Sequence, residues 1–135
     1  MAVKKIEKII SAGQCKLSAR VFNLGSIIAT LLPVLAPIWI AGSIFTYAAV
    51  AHHPDSRVGE YTRWAGYRFY GMAGSFVVIL NFSGELKALL GGALHMWLAV
   101  WAVGILAVVP LGLRDLYRAG REDWKDLTVE VEVDE

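Results

Sequence analysis

Three stretches without Asp, Glu, Lys or Arg are the feature that most constrains this chain. They cover residues 21–51, 69–84 and 88–113, and charged residues bound each of them. A hydrocarbon core about 30 Å thick needs about 20 apolar residues to be crossed by a helix. The sequence therefore predicts an all-α, multi-pass integral membrane protein.

The composition agrees with that expectation. Hydrophobic residues make up 56% of the chain and the mean hydropathy is +0.51, which is more apolar than a soluble domain of this size usually is. The surplus must face lipid or another protein. We expect a membrane domain over residues 21–113, built from the segments 21–51, 67–86 and 88–113.

The first segment, residues 21–51, is too long for one straight span. As a single helix its 31 residues would measure about 46 Å, and Pro33 and Pro37, one helical turn apart, predict a kink or a break. Either one kinked span crosses the membrane, which is the commoner arrangement, or the two arms form a re-entrant hairpin. Lys and Arg accumulate on the cytoplasmic side, and only the hairpin places every basic region there together with both termini. Either way, we expect a cytoplasmic N-terminus.

The second and third segments are expected to pack through small residues. The second offers only 16 uncharged residues, so it must recruit flanking polar residues to cross. Small residues let helices approach closely in lipid. On this ground we predict helix-packing positions at Gly71, Ser75, Gly92, Ala99 and Ala102.

The connection between the first two segments has the composition of a membrane interface. Aromatic rings with a polar edge settle at the level of the lipid headgroups, and arginines reach phosphates beside them. The predicted interfacial residues are Arg57, Tyr61, Arg63, Trp64, Tyr67 and Arg68.

The two ends of the chain differ in charge. Residues 1–20 carry lysines between apolar residues spaced by three, four or seven, which predicts a basic amphipathic helix lying on the membrane surface. Residues 114–135 are expected to form a soluble C-terminal helix and an acidic tail. Valines alternate with acids from Thr128 to Glu135, which is the period of a strand. That segment would be a frayed tail or would add to the sheet of a partner.

His95 is the only ionisable residue well inside an apolar segment, and such residues are functional candidates by default. It could ligate haem b, contribute to a quinone site, or hydrogen-bond to another helix. Thr62, Arg63 and Gly66 before a span, with His95 in a later one, resemble the haem-bearing membrane anchor of succinate dehydrogenase. That resemblance implies a haem or quinone site at His95, but Trp101 and Ala102 stand where the family has an arginine, so we claim no membership.

The function expected from these patterns is that of a small, non-catalytic subunit or assembly partner of a larger membrane complex. The alternatives are a haem b or quinone-binding anchor of a respiratory oxidoreductase and a self-assembling pore-forming or membrane-shaping protein. Motifs for nucleophilic catalysis, metal binding or nucleic-acid binding are absent from the sequence, so we expect neither an enzyme nor a metal site. The expected partners are lipid and other membrane subunits, or further copies of the chain.

Overall fold

The computed structural model describes residues 3–134. Most of them are helical, and the two ends of the described chain form a small sheet. The elements are β1 (Val3–Ile10), α1 (Ala12–Leu31), a 3-10 turn (Pro33–Leu35), α2 (Ala36–Val50), α3 (Ser56–Leu80), α4 (Ser83–Leu90), α5 (Ala93–Arg121) and β2 (Leu127–Asp134).

The first apolar segment folds back on itself as a helical hairpin. The helix stops at Leu31, and Pro33 begins the 3-10 turn, whereas Pro37 lies in the first turn of α2, where its missing N–H costs nothing. The ring centroids of Phe22 and Tyr47 are 6.0 Å apart, although 25 residues of straight helix would separate them by about 37 Å. The segment is therefore a helical hairpin and not one kinked helix, and that this hairpin is re-entrant stays a prediction.

The helices α1, α2, α3 and α5 form one bundle, in which α1 and α3 run in one direction and α2 and α5 in the other. Cys15, Val58 and Ala119 pack together at one end, beside both strands. Further along, Ile27 packs on Val108. The strands, the turn 51–55 and the C-terminal segment therefore share one end, whereas the 3-10 turn and α4 lie toward the other.

The predicted surface helix over residues 1–20 is wrong in its first half. Residues Val3–Ile10 form β1, which pairs antiparallel with β2 so that Lys5 is opposite Glu132 and Lys8 is opposite Val129. The spacing of Ile6 and Ile10 suits a strand as well as a helix, β-branched residues favour strands, and a complementary alternating segment lies at the other terminus. Helix α1 begins only where Ser11 and Gln14 form a capping box.

The expected acidic tail is likewise the strand β2, and its partner lies within the same chain. The strand period of residues 128–135 thus matches the structure, with one end of the range at Glu135, outside the described residues. Neither a frayed tail nor addition to a partner's sheet describes it. Trp124 and Leu127 pack beside Cys15 and Val58, so the sheet is attached to the bundle.

The predicted second segment, residues 67–86, is not one straight helix. Its first part belongs to α3, which already begins at Ser56, and α4 is bent from α3 by 86°. The Asp55 side chain accepts from the backbone N–H of Arg57 and so starts α3 early. Beyond Leu80, the Asn81 side chain donates to the carbonyl of Val77 at the bend.

Helix α5 contains Pro110 and continues past the predicted end of the third segment at residue 113 to Arg121. A proline inside a membrane helix is tolerated where neighbours compensate for the lost hydrogen bond. By length and composition, the segment Pro33–Val50 and helix α5 could each cross a membrane, and α3 with α4 could form a third, broken span.

Candidate functional site

A buried ion pair joins three helices in the middle of the bundle. The Nη2 atom of Arg68 on α3 donates to Oδ2 of Asp115 on α5 at 2.6 Å. The same nitrogen donates to Oδ1 of Asn23 on α1 at 2.9 Å. The side chains of Arg68 and Asp115 are only 12% and 7% exposed. Burying two charges is costly unless they are paired and hydrogen-bonded, so this cluster fixes how the hairpin sits against α3 and α5.

The sequence places this cluster at the edge of the apolar segments. Arg68 immediately precedes the uncharged stretch that begins at Phe69, and Asp115 follows shortly after the stretch that ends at Leu113. Because α3 and α5 run antiparallel, these two edges lie at the same level. Within the cluster, Nδ2 of Asn23 is buried and lacks a hydrogen-bond partner among the described residues, as do Nε of Arg20 and Oγ1 of Thr62 elsewhere in the bundle.

A pocket of about 440 Å³, which we call the arginine pocket, opens between α3 and the C-terminal half of α5. Its volume falls within the range of small-ligand sites. The α3 wall consists of Arg57, Glu60, Tyr61, Trp64 and Arg68. The opposite wall consists of Leu111, Arg114, Asp115, Arg118 and Glu122.

Four of the six predicted interfacial residues therefore line one pocket, together with residues of α5 that the sequence analysis did not select. Arg57, Tyr61, Trp64 and Arg68 are in the pocket wall. The remaining two, Arg63 and Tyr67, are exposed, and the Tyr67 ring packs edge-to-face on Trp64 with centroids 5.7 Å apart.

At the outer end of the pocket Arg57 connects α3 to the C-terminal segment. It pairs with Asp55 at 3.0 Å, donates to the carbonyl of Asp123 at 3.1 Å, and its guanidinium lies 4.4 Å from the ring centroid of Trp124. The hydrogen bond from Arg57 lowers the pKa of Asp55, against the opposing effect of burial. Asp55 is thus held ionised as the cap of α3.

The predicted packing residues are not the ones that pack within the chain. A Cβ atom added at Gly71 would have no neighbour within 4 Å. Ser75 and Ala102 are exposed, and Gly92 and Ala99 are partly exposed. Within the chain the close contacts are instead at Gly104, beside Met72 and Phe76, and at Gly112, beside Ile27 and Asn23. The buried face of α5 is offset from the predicted one because Asp115 and Val108 point into the bundle.

His95 lies on the outer surface near the start of α5. It is exposed, and its Nδ1 is 3.3 Å from the carbonyl oxygen of Gly91 in the preceding turn. In the described part of the chain no three His, Cys, Asp or Glu side chains come together as metal ligands would. A ligand or quinone role for His95 stays a prediction.

Asn23 and Asp115 of the buried cluster, and Glu60, Arg114, Arg118 and Glu122 of the arginine pocket, are the functional candidates that sequence reasoning missed. The available signal is that Asp115 is the first acid after the third apolar stretch and that Asn23 is the only amide in the first one. No family model, curated protein or solved structure matches this chain.

Proposed function

We propose that this chain is a non-catalytic, polytopic membrane protein that acts as a small subunit of a larger membrane complex. Insertion into a membrane is supported by the distribution of apolar surface. Only 6% of the Pro33–Val50 window is buried within the chain, and Val34, Ile38 and Phe45 are at least 70% exposed. Such a surface requires lipid or a partner to cover it.

The proposed orientation places the end that carries both strands in the cytoplasm. The arginines of α3 and α5 and the lysines near the N-terminus cluster at this end, whereas the α4 end carries only Glu85 and Lys87. The positive-inside rule favours the arginine-rich end on the cytoplasmic side. The hairpin allows the N-terminal strand and the turn at Asp55 to share that side.

The observation that carries the subunit proposal is the outward face of α3. A Cβ atom added at Gly71 or at Gly74 would have no neighbour within 4 Å, and Ser75, on the same face of α3, is exposed. Glycine contributes little contact with lipid, but it allows a second helix to approach closely. We infer that a helix of another subunit packs on this face.

Site-specific photo-crosslinking in the native membrane tests this proposal. A photoreactive side chain at position 75 should give a discrete protein adduct, whereas the matched control at Val77, which is 69% exposed and points to a different side of α3, should react with lipid alone. An adduct to a different protein would support a heteromeric subunit. An adduct to the same chain would support a homo-oligomer instead, and lipid adducts alone at position 75 would contradict the proposal.

Cysteine labelling tests the orientation. In a Cys15→Ser background, Glu60→Cys and Lys125→Cys should be labelled from one side of sealed vesicles and Glu85→Cys from the other. Val34→Cys, at the hairpin turn, should be protected from both sides if the hairpin is re-entrant. Labelling of Glu60→Cys and Lys125→Cys from opposite sides would refute the shared cytoplasmic end.

The depth of the hairpin favours a second candidate, a membrane-shaping function. Pro33 and Ala36 at the hairpin turn lie beside Trp97 and Trp101 in an apolar pocket of about 290 Å³. Trp97 is four residues, or about 6 Å, from the start of α5. The hairpin thus ends about 6 Å short of the start of α5, and past its turn only α3 and α5 continue, so we infer a wedge whose wider end is the arginine-rich one.

Reconstitution into vesicles of different diameters tests the wedge. A wedge-shaped protein should reach a higher density per unit area in small vesicles than in large ones. A variant with Val34→Lys and Ile38→Lys, which opposes burial of the hairpin turn, should lose that preference. An equal density of the unaltered protein in all vesicles would exclude this second function and leave the subunit proposal intact.

A further inference from the structure

The arginine pocket combines cations and carboxylates that do not neutralise one another completely. Asp115 is shared between Arg68 at 2.6 Å and Arg114 at 3.4 Å, and Arg57 is paired with Asp55. Arg118, Glu60 and Glu122 line the same pocket and form no ion pair with one another or with any other side chain that the structure describes, those of residues 6–130.

The unpaired groups carry both signs of charge. On the α5 wall, Arg118 is joined by Arg114, whose side chain is 48% exposed and whose contact with Asp115 is long. The two carboxylates are contributed by Glu60 from α3 and by Glu122 at the end of α5, and Oε2 of Glu122 is buried with no hydrogen-bond partner among the described residues. A purely anionic ligand would be repelled by the glutamates, and a purely cationic one by Arg118. A ligand that carries both charges satisfies both.

The pocket lies where both of its walls change from charged to apolar sequence. On α3 the change comes after Arg68. On α5 it comes between Leu113 and Arg114, and Leu111 of the apolar part also lines the pocket. Trp64 adds an aromatic ring, 57% exposed, of the kind that settles at headgroup level. An amphiphile with a polar head in the pocket and its tails along α3 and α5 fits this position.

We propose that the arginine pocket binds a phospholipid with a phosphoethanolamine headgroup, with the phosphate at Arg114 and Arg118 and the ammonium at Glu122 and Glu60. Arginine presents a fork of donors that matches phosphate oxygens. A primary ammonium has three N–H donors for the glutamates. A quaternary choline headgroup has none, so the pocket selects against it.

Binding of short-chain phospholipids to the purified protein in detergent, measured by native mass spectrometry, tests the assignment. Phosphatidylethanolamine should bind roughly tenfold more tightly than phosphatidylcholine or phosphatidylglycerol, the difference expected from one charge-assisted hydrogen bond. Equal affinity for the three lipids would overturn the proposal.

Two variants separate the two halves of the headgroup. Glu122→Gln should lower the affinity for phosphatidylethanolamine about tenfold, to the level of phosphatidylglycerol. Arg118→Gln should weaken the binding of all three lipids by about the same factor, because each of them carries the phosphate. Lys125→Gln, which changes an exposed charge at the same end outside the pocket, is the matched control and should bind as the unaltered protein does. An unchanged lipid preference in Glu122→Gln would refute the ammonium site.

A competition experiment distinguishes a lipid from a soluble ligand. Free phosphoethanolamine has the same charged groups but no tails, so at equal concentration it should not displace phosphatidylethanolamine. Displacement at equal concentration would overturn the lipid assignment, because the pocket would then recognise the soluble compound as well. These results do not depend on the crosslinking at position 75, so either proposal can fail without the other.

Discussion

Removing Asp115 should destabilise the bundle more than any other single change of a charged residue that we consider. In Asp115→Ala, the guanidinium of Arg68 would stay buried with only the oxygen of Asn23 to accept from it. Breaking a buried ion pair by removing one partner costs about 3–5 kcal/mol. Because Arg68 retains one hydrogen bond and is 12% exposed, we expect the lower end, about 3 kcal/mol, or a roughly 100-fold fall in the ratio of folded to unfolded protein.

Unfolding in mixed micelles with increasing dodecyl sulfate, followed by circular dichroism, measures this change. The single cysteine gives a second probe, since Cys15 is fully buried and burial raises the pKa of its thiol, so alkylation should be slow until the bundle opens. The exposed neighbour provides a control: Arg114→Gln, which loses only a 3.4 Å contact at the surface, should cost less than about 0.5 kcal/mol.

The double variant Arg68→Met with Asp115→Leu decides whether the cost comes from an uncompensated charge. Replacing a buried pair by apolar residues of similar volume is often close to neutral, so the double variant should recover at least half of the stability lost in Asp115→Ala. Our reasoning would be refuted if Asp115→Ala unfolded within about 0.5 kcal/mol of the unaltered protein, or if the double variant were less stable than the single one.

Three further predictions concern the hairpin, the cap of α3 and the terminal sheet. Gly25→Ala should cost about 1–3 kcal/mol in the same unfolding assay, because its Cβ would overlap the Trp39 ring, whereas Gly74→Ala, in open space, should be neutral or stabilising. Asp55→Ala should cost about 1 kcal/mol at neutral pH. Because the pKa of Asp55 is lowered in the folded protein, the stabilisation by its carboxylate is present above the unfolded pKa and is lost as the pH falls through the folded pKa. Asp55→Asn should keep the cap of α3 without that pH dependence. In a Cys15→Ser background, Lys8→Cys with Val129→Cys should form a disulfide, since these residues are direct cross-strand neighbours, and Lys8→Cys with Glu130→Cys, on opposite faces, should not.

The sequence predicted the helical, apolar character of the chain and the break at Pro33, because both follow from local composition. It could not decide between a kinked span and a hairpin, since Pro33 breaks the helix in either case. The deciding contacts are between residues far apart in the chain, such as Trp39 Nε1 donating to Ser26 Oγ at 3.1 Å and Phe22 packing on Tyr47. Only the distribution of Arg and Lys pointed to the hairpin in advance.

The errors at the two termini have the same cause. Ile6 and Ile10 satisfy the helical and the strand period equally, and the choice is made by a partner more than 110 residues away, as in the pairing of Ile10 with Leu127. Residues 128–135 were recognised as a strand because their alternation is strict, but an isolated strand carries no information about what it pairs with. The basic and the acidic terminus therefore form one structural element, the β1–β2 sheet.

The sequence predicts the candidate site only in part because the two walls of the site come from segments that lie far apart in the chain. Arg57, Tyr61, Trp64 and Arg68 were selected as an interfacial connection, while Arg114 and Arg118 were assigned to a soluble helix beyond the membrane domain. Since α3 begins already at Ser56 and α5 continues to Arg121, α3 extends past its apolar segment by more than three turns and α5 by about two, and their charged ends face each other. Where two antiparallel helices both continue beyond an apolar stretch, the charges on each are best interpreted as one surface, and in this chain that surface is the arginine pocket.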